Sequence, residues 1–474
     1  MELTNSDILY RRKKDGTVNL AGECRVGLFE YFYMFVMVIY MAQMTDDTGR
    51  MVGGLSGNPI PFLIPFVLTI ILLYRKHISW HCSNLWIILS VTAIWSFCCL
   101  WKYKAFTNTS EVSYIFFLFY AIIIAYIHIK VFGRKLFPMY ENIMVRMCQI
   151  AIVFWILNMV FYSTGIFNGL EETILGRNIC YIYQWQTPDK IKADTFAFLL
   201  RNAGFSWEPG RFAIMLGLAL YVNLSRKGIT FKNNTNVIWI LAALVSTQST
   251  TGYCIAIMLY AIFAVRKGIM QNFALIIMII IPVAIMLSQL DFMQDKIMEQ
   301  MSLEDIDQLG EQIDYNTGVT ADDEYLGSLG RFESVFFELQ NIANDPIIGY
   351  SRNANHSFFY ENISPNYVLT NGLFSTIGKH GIIYGLFIYA VLLISSIKVA
   401  NKRNFRFGSK YALFLTILFA SFSYTLWTIP IFTAFWMYGF IDNPKKRKAL
   451  RLSTRHSLAR PTNFTNVNDP KQAE

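Results

Sequence analysis

The stretch VIWILAALVSTQSTTGYCIAIMLYAIFAV, Val237–Val265, decides the architecture. A membrane helix needs about 20 apolar residues, with a range of about 17–25. The stretch is therefore one long tilted crossing or two short ones. A polar corner, Ser246-Thr247-Gln248-Ser249-Thr250-Thr251-Gly252, interrupts it. Charge discriminates between the two. Arg226, Lys227 and Lys232 precede the stretch, and Arg266 and Lys267 follow it. Lys and Arg beside a span are retained on the cytoplasmic side. One crossing would strand one cluster outside. Two short passes keep both inside and turn the Ser/Thr corner outward.

The rest of the chain follows the same logic. Its 474 residues are 54% hydrophobic and only 15% charged, where a soluble protein carries about a quarter. Twelve apolar stretches are candidate spans: roughly 26–44, 58–74, 85–101, 114–132, 147–167, 207–224, 235–250, 251–265, 272–289, 381–398, 411–427 and 429–442. The first 25 residues are polar and include Arg11-Arg12-Lys13-Lys14, so the first apolar run reads as an uncleaved anchor. With both termini inside, cytoplasmic segments hold 29 of the 41 Lys/Arg, and outer segments hold 23 of the 32 Asp/Glu. The pI near 9.0 thus reflects topology signals scattered between apolar runs, not a nucleic-acid surface. Seven cysteines show no metal spacing, and Cys98, Cys99, Cys148 and Cys254 lie in apolar runs where packing is their role.

The expected fold is an all-α polytopic membrane protein with about twelve crossings. Its segments are a cytoplasmic 1–25, a membrane domain 26–289 with an outer loop near 168–206, a large helical outer loop 290–380, a membrane domain 381–442 and a basic cytoplasmic tail 443–474. Inside the large loop, residues 332, 335, 336, 339 and 342 form an apolar helical stripe, closed by Asp345-Pro346. Met293, Ile297 and Met301 repeat every four residues and suit a membrane interface.

Candidate chemistry concentrates on the outer side. In RNAGFSWEPGRFA, Arg201–Ala213, two arginines flank Glu208-Pro209-Gly210 at the mouth of an apolar run. Pro209 and Gly210 mark a helix start or kink. Glu208 can orient one arginine and leave the other for a ligand; an interfacial charge pair that snorkels to water is the plainer alternative. Trp207 is either an interface anchor or a sugar platform. Arg331 opens the amphipathic helix, where exposed N–H groups and a guanidinium suit a phosphate. Pairing with Glu333 or Glu338 is its plainer role. Of six histidines, His356 and His380 lie on the outer side. His356 sits in a polar loop with Tyr350, Arg352 and Asn355, and its near-neutral pKa suits a general base. Asp46-Asp47 is a separate carboxylate pair of the kind that holds a divalent metal; solvation is its plainer role, as it is for Asp322-Asp323-Glu324.

These residues resemble a family. Arg201-Asn202-Ala203-Gly204-Phe205-Ser206-Trp207-Glu208-Pro209 entering a span, the hairpin Ser246–Gly252, then Gly330-Arg331, Asn344-Asp345-Pro346-Ile347-Ile348-Gly349 and Asn355-His356 are similar to the bacterial O-antigen and capsule polymerases and the related O-antigen ligases. The similarity covers roughly 200–400. One departure stands out: relatives carry an arginine in the Ser/Thr hairpin, where this chain has Thr250 and Thr251.

The resemblance implies a GT-C-like glycosyltransferase working at the periplasmic face of the inner membrane. A glycan on undecaprenyl diphosphate is the donor, and a lipid-linked repeat unit is the acceptor. Arg201 and Arg331 would hold the diphosphate, and His356 would act as base. Arg211, Glu208, Arg352, Asn355, Tyr350 and Trp207 would line the substrate site. No cofactor or metal is implied. Partners would be the lipid-linked oligosaccharides, membrane lipids and a chain-length regulator, with no nucleic acid. Three rivals share features: a ligase moving glycan to lipid A core, a metal-dependent transferase using Asp46 and Asp47, and a lipid-glycan flippase. Against the flippase, charge lies outside the spans and the chain shows no paired halves.

Overall fold

The computed structural model describes residues 9–12, 18–21, 26–42, 60–76, 78, 80, 82–163, 183, 200–206, 208–265, 327–328, 331–352, 356–362, 367–369, 371–401 and 405–441. All of them fall in one compact unit, Met1–Ile441, so the described residues between 331 and 380 pack with the helices around them rather than as a separate domain.

Helices dominate. In chain order they are α1 Leu28–Ala42, α2 Ile60–Arg75, α3 Ser83–Lys102, α4 Thr109–Phe132, α5 Leu136–Ser163, α6 Pro209–Lys227, α7 Thr235–Ser246, α8 Thr250–Val265, α9 Arg331–Asn344, α10 Phe358–Asn362, α11 Gly372–Ala400, α12 Ala412–Ser423 and α13 Pro430–Ile441. Four short strands qualify the all-α expectation. Leu9–Arg12 and Val18–Ala21 form an antiparallel hairpin, and Gly327–Ser328 pairs in parallel with Tyr367–Val368. Among the described residues, three helical runs are long and apolar enough to cross a membrane: Ser83–Lys102, Glu111–Phe161 and Gly372–Ala400. Helices occupy each expected apolar stretch except 272–289, which lies outside the described residues.

The deciding stretch is two helices, α7 and α8, with the turn Thr247–Gln248 between them. Both pack on α6, which is buried along Pro209–Ser225. Small residues allow the approach. A Cβ on Gly252 would come 2.7 Å from Ala213, and one on Gly217 would come 2.8 Å from Ile255. In lipid, such close backbone contact is a principal source of helix association. The far ends of α5, α6 and α7 are tied by Glu141, which accepts from Asn223 (2.7 Å) and Asn236 (3.1 Å) and pairs with Arg226.

Two features depart from expectation. First, α11 begins at Gly372, ahead of the expected start near 381, and is kinked at Gly381 (φ 75°, ψ 165°). The Ile382 N–H leaves the helical ladder and donates to Pro346 O (2.7 Å). Tyr350 N and Ser351 N likewise donate to Gly378 O and Lys379 O, welding the turn after α9 to α11. Second, the apolar stripe of α9 is not its buried face. Ser334, Phe337, Glu338 and Asn341 point inward, while Phe336, Leu339 and Ala343 are exposed. The inward face is mostly polar because its partners, described next, are hydrogen-bonding groups.

Gly381 is a point of no substitution. Its φ lies where L-residues are strained by roughly 1–3 kcal/mol, and an added Cβ would stand 2.0 Å from Ile347 O. Gly381→Ala should lower the unfolding midpoint of the detergent-solubilised protein, followed by tryptophan fluorescence; an unchanged midpoint would contradict the weld.

Candidate functional site

The site is built from the turn that precedes α6. Gly204 adopts φ 57°, and its amide donates to Asn202 Oδ1 (2.9 Å). Asn202 is in turn fixed to the end of α7: its N–H donates to Ser246 O (2.9 Å) and its amide Nδ2 to Ser246 Oγ (2.8 Å). This holds Arg201 over the α7–α8 corner, where its Nε donates to Thr247 O (3.3 Å). Glu208 is the extended residue just before α6, and Pro209 is its first residue, the position where a missing N–H costs nothing.

Arg331 reaches the same corner from α9. Its guanidinium donates to Thr251 Oγ1 (2.9 Å), and Thr251 Oγ1 lies 2.6 Å from Ser423 Oγ at the end of α12. The start of α9 is held by Asn371, whose Nδ2 donates to Arg331 O (3.3 Å) while its Oδ1 caps α11 by accepting from Leu373 N and Phe374 N. Arg211 lies 5.2 Å above the Tyr424 ring. A Cβ on Gly210 would meet the Tyr424 hydroxyl at 2.6 Å, so glycine is needed for that ring to sit there.

These groups share one electrostatic field. Burial pushes the Arg201 guanidinium below its ordinary pKa, opposed by Glu208. Burial lowers Arg331 too, Glu208 again opposes, and the positive charge of Arg201 adds to the lowering. Glu208 also acts on Arg211. Among the described residues, neither Arg201 nor Arg331 pairs with a carboxylate within 4.0 Å. Arg201, Arg331 and Arg211 thus all lie in the field of Glu208. Arginine keeps its charge when partly buried, and cations held by neutral acceptors, as Arg201 and Arg331 are, suit an anion.

The other expected site residues go elsewhere. His356 is half-buried and stacks on Tyr103, with ring centroids 4.2 Å apart and planes 12° apart. The Tyr103 hydroxyl lies 2.6 Å from Asp345 Oδ2 and 2.7 Å from Gly349 O, and Lys102 pairs with the same carboxylate. That is the C-terminal end of α9, whereas Arg331 is its first residue. At 1.5 Å per residue the two ends are about 20 Å apart. The expected meeting of His356 with the arginines is not formed; the loop carrying it is tied to α3 instead. Tyr350, expected to contact substrate, is buried and donates to Glu338 Oε1 (3.0 Å). Asn341 donates to Glu338 Oε2 (3.3 Å), and Arg352 acts electrostatically on Lys379 beside them. His380 is an interior residue, its ring bonded to Tyr114 (3.0 Å) and Thr376 O (2.7 Å). Trp207, Asn355, Asp46 and Asp47 lie outside the described residues.

Thr251, Ser423, Tyr424 and Asn371 were not singled out as ligand contacts by sequence. Thr251 had one signal: it stands in the hairpin position where the resembling family carries an arginine. Here that position accepts a hydrogen bond from an arginine supplied by α9. Compared with known proteins, the chain matches no family model and no curated protein.

Glu338 gives a pH prediction. Burial raises its pKa above 4.5, against the opposing effect of Lys379 and of its hydrogen bonds. The native carboxyl then holds its proton more tightly than the unfolded one. Stability should fall as pH rises from about 4.5 through the raised value, because the unfolded state binds fewer protons there. Glu338→Gln should flatten that part of the melting-temperature profile; a profile of unchanged slope would rule out this origin.

Proposed function

We propose that this chain is a metal-independent glycosyltransferase that polymerises lipid-linked oligosaccharides at the outer face of a bacterial inner membrane. The observation that carries the reading is the arrangement of Arg201 and Arg331: two half-buried guanidiniums with no carboxylate within 4.0 Å among the described residues, reaching the same corner from the turn before α6 and from the start of α9. The family resemblance and the bias of basic residues toward one side of the apolar stretches support it as well.

In this reading the donor is a glycan on undecaprenyl diphosphate. The acceptor hydroxyl attacks the anomeric carbon, forming the new C–O bond. The bond from the anomeric carbon to the phosphate oxygen breaks, and its electron pair leaves with the lipid diphosphate. Charge builds on the diphosphate as that happens. Arg201 and Arg331, with Arg211 alongside, stabilise it from fixed positions, which is where preorganised donors contribute most. Thr251 and Ser423 hold Arg331 in place. The acceptor proton goes to Glu208, the carboxylate whose field reaches both arginines. His356, stacked on Tyr103, positions the loop rather than the reacting atoms.

Removing a preorganised charge donor costs roughly 100- to 1000-fold in rate. Arg331→Ala should lose activity on that scale, and Arg331→Lys should restore only part of it, since ammonium lacks the planar fork. Glu208→Gln should remove turnover while leaving lipid diphosphate binding largely intact. His356→Ala should retain most activity. The readout is the glycan ladder made from purified lipid-linked repeat unit. Full activity in Arg331→Ala would end the proposal, and glycan transferred to added lipid A core would reassign the chain as a ligase.

A further inference from the structure

Helix α9 is inside-out for a helix in water. Its inward face carries Ser334, Glu338 and Asn341 beside Phe337, all buried; Glu338 accepts from Tyr350 and Asn341, and Asn341 Oδ1 accepts from Phe359 N (3.0 Å). Its outward face carries Phe336, Leu339 and Ala343, with Leu339 48% exposed, and the helix ends on the exposed Asn344. A surface helix beside water puts its apolar stripe on the core and its polar residues outside. The reverse order is stable when the surroundings are apolar.

The exposed apolar surface does not stop at α9. The turn that follows presents Ile347 at 63% exposure, and this turn is bonded to α11 through Pro346 O and Ile382 N. On α11 the exposed residues are again apolar: Ile382, Ile383 at 67%, and Leu386. α11 is one of the runs long and apolar enough to cross a membrane. Its outward side must face acyl chains wherever it crosses, because no other surrounding makes exposed isoleucine favourable there.

From this continuity we infer that α9 is an interfacial helix, with Phe336, Leu339 and Ile347 inserted at the boundary between headgroups and acyl chains of the bilayer that α11 crosses. Insertion of such a face by several ångströms is how amphipathic helices lie on membranes. The occupant of the apolar face is lipid, not a second copy of the chain and not a soluble partner. The inference does not depend on the arginine site. Its consequence for that site is geometric: Arg331, at the start of α9, would be held at headgroup depth, the level of a lipid phosphate.

The test places a photo-crosslinking phenylalanine analogue, one position at a time, at Phe336, Leu339, Ile383 and Lys104 of the full chain. The variants are reconstituted in nanodiscs of phosphatidylethanolamine and phosphatidylglycerol and irradiated, and adducts are read by mass spectrometry. Ile383 is the bilayer reference, and Lys104, on an exposed turn, is the water reference. Lipid adducts at Phe336 and Leu339 comparable to those at Ile383, with none at Lys104, are expected. Adducts at Ile383 alone would overturn the inference, as would a crosslinked dimer or an intramolecular peptide crosslink in place of lipid. Loss of lipid adducts at Ile383 as well would remove its premise. All four positions lie outside the arginine cluster, so glycan synthesis should be unchanged in each variant, and failure here leaves the proposed activity standing.

Discussion

The main chain around Gly381 is the constraint on which the site depends. A helix that crosses an apolar medium cannot leave N–H groups unsatisfied, because each costs several kcal/mol there. At Gly381 the ladder of α11 breaks, and the freed Ile382 N–H is satisfied by Pro346 O from another segment. With Tyr350 and Ser351 donating to neighbouring carbonyls, the turn after α9 becomes part of α11. Only a glycine allows it, since Ile347 O occupies the space of a Cβ. This fixes one end of α9. The Tyr103–Asp345 contact and the Lys102–Asp345 pair tie the same end to α3. The other end is then held by Asn371 and by the Arg331–Thr251 bond. A helix pinned at both ends is a fixed bracket, not a hinged cover.

The bracket explains how charge can be concentrated without collapsing onto itself. Guanidiniums free to move would find carboxylates or water. Arg201 is instead held by a carbonyl at the α7–α8 corner, and Arg331 by a hydroxyl one turn further on. Hydrogen bonds to neutral acceptors orient each cation but do not neutralise it. Glu208 acts on both of them through its field. In a partly dehydrated region a charge acts over longer distances than in water.

Several elements were legible from residue order alone. Pro209 marks the start of α6 because its ring fits only the first turn, and the Ser246–Gly252 corner separates α7 from α8 because clustered basic residues lie at both outer ends. The orientation of α9 was not legible. Its apolar stripe suggests a face turned to the core, whereas Glu338 and Asn341 are the buried residues. The partners that make their burial tolerable, Tyr350, Ser375 and the Phe359 amide, come from later segments. Likewise His356 has a sequence context that suits catalysis, but its ring stacks on Tyr103, more than 250 residues earlier in the chain. Ser423 and Tyr424 carry no local pattern at all. They matter through contact with Thr251, Gly210 and Arg211, a fact of three-dimensional packing that spacing does not encode.

The corner that gathers the arginines draws on residues 201, 208, 211, 251, 331 and 423, so it is finished only when α12 docks. During synthesis, a chain that has emerged through α8 already presents Arg201 and Arg211 but lacks Arg331 and the hydroxyl beyond Thr251. Ribosomal order thus keeps the charges and hydroxyls of the corner apart until the later helices exist. The corner fills in two late stages, with α9 and then with α12.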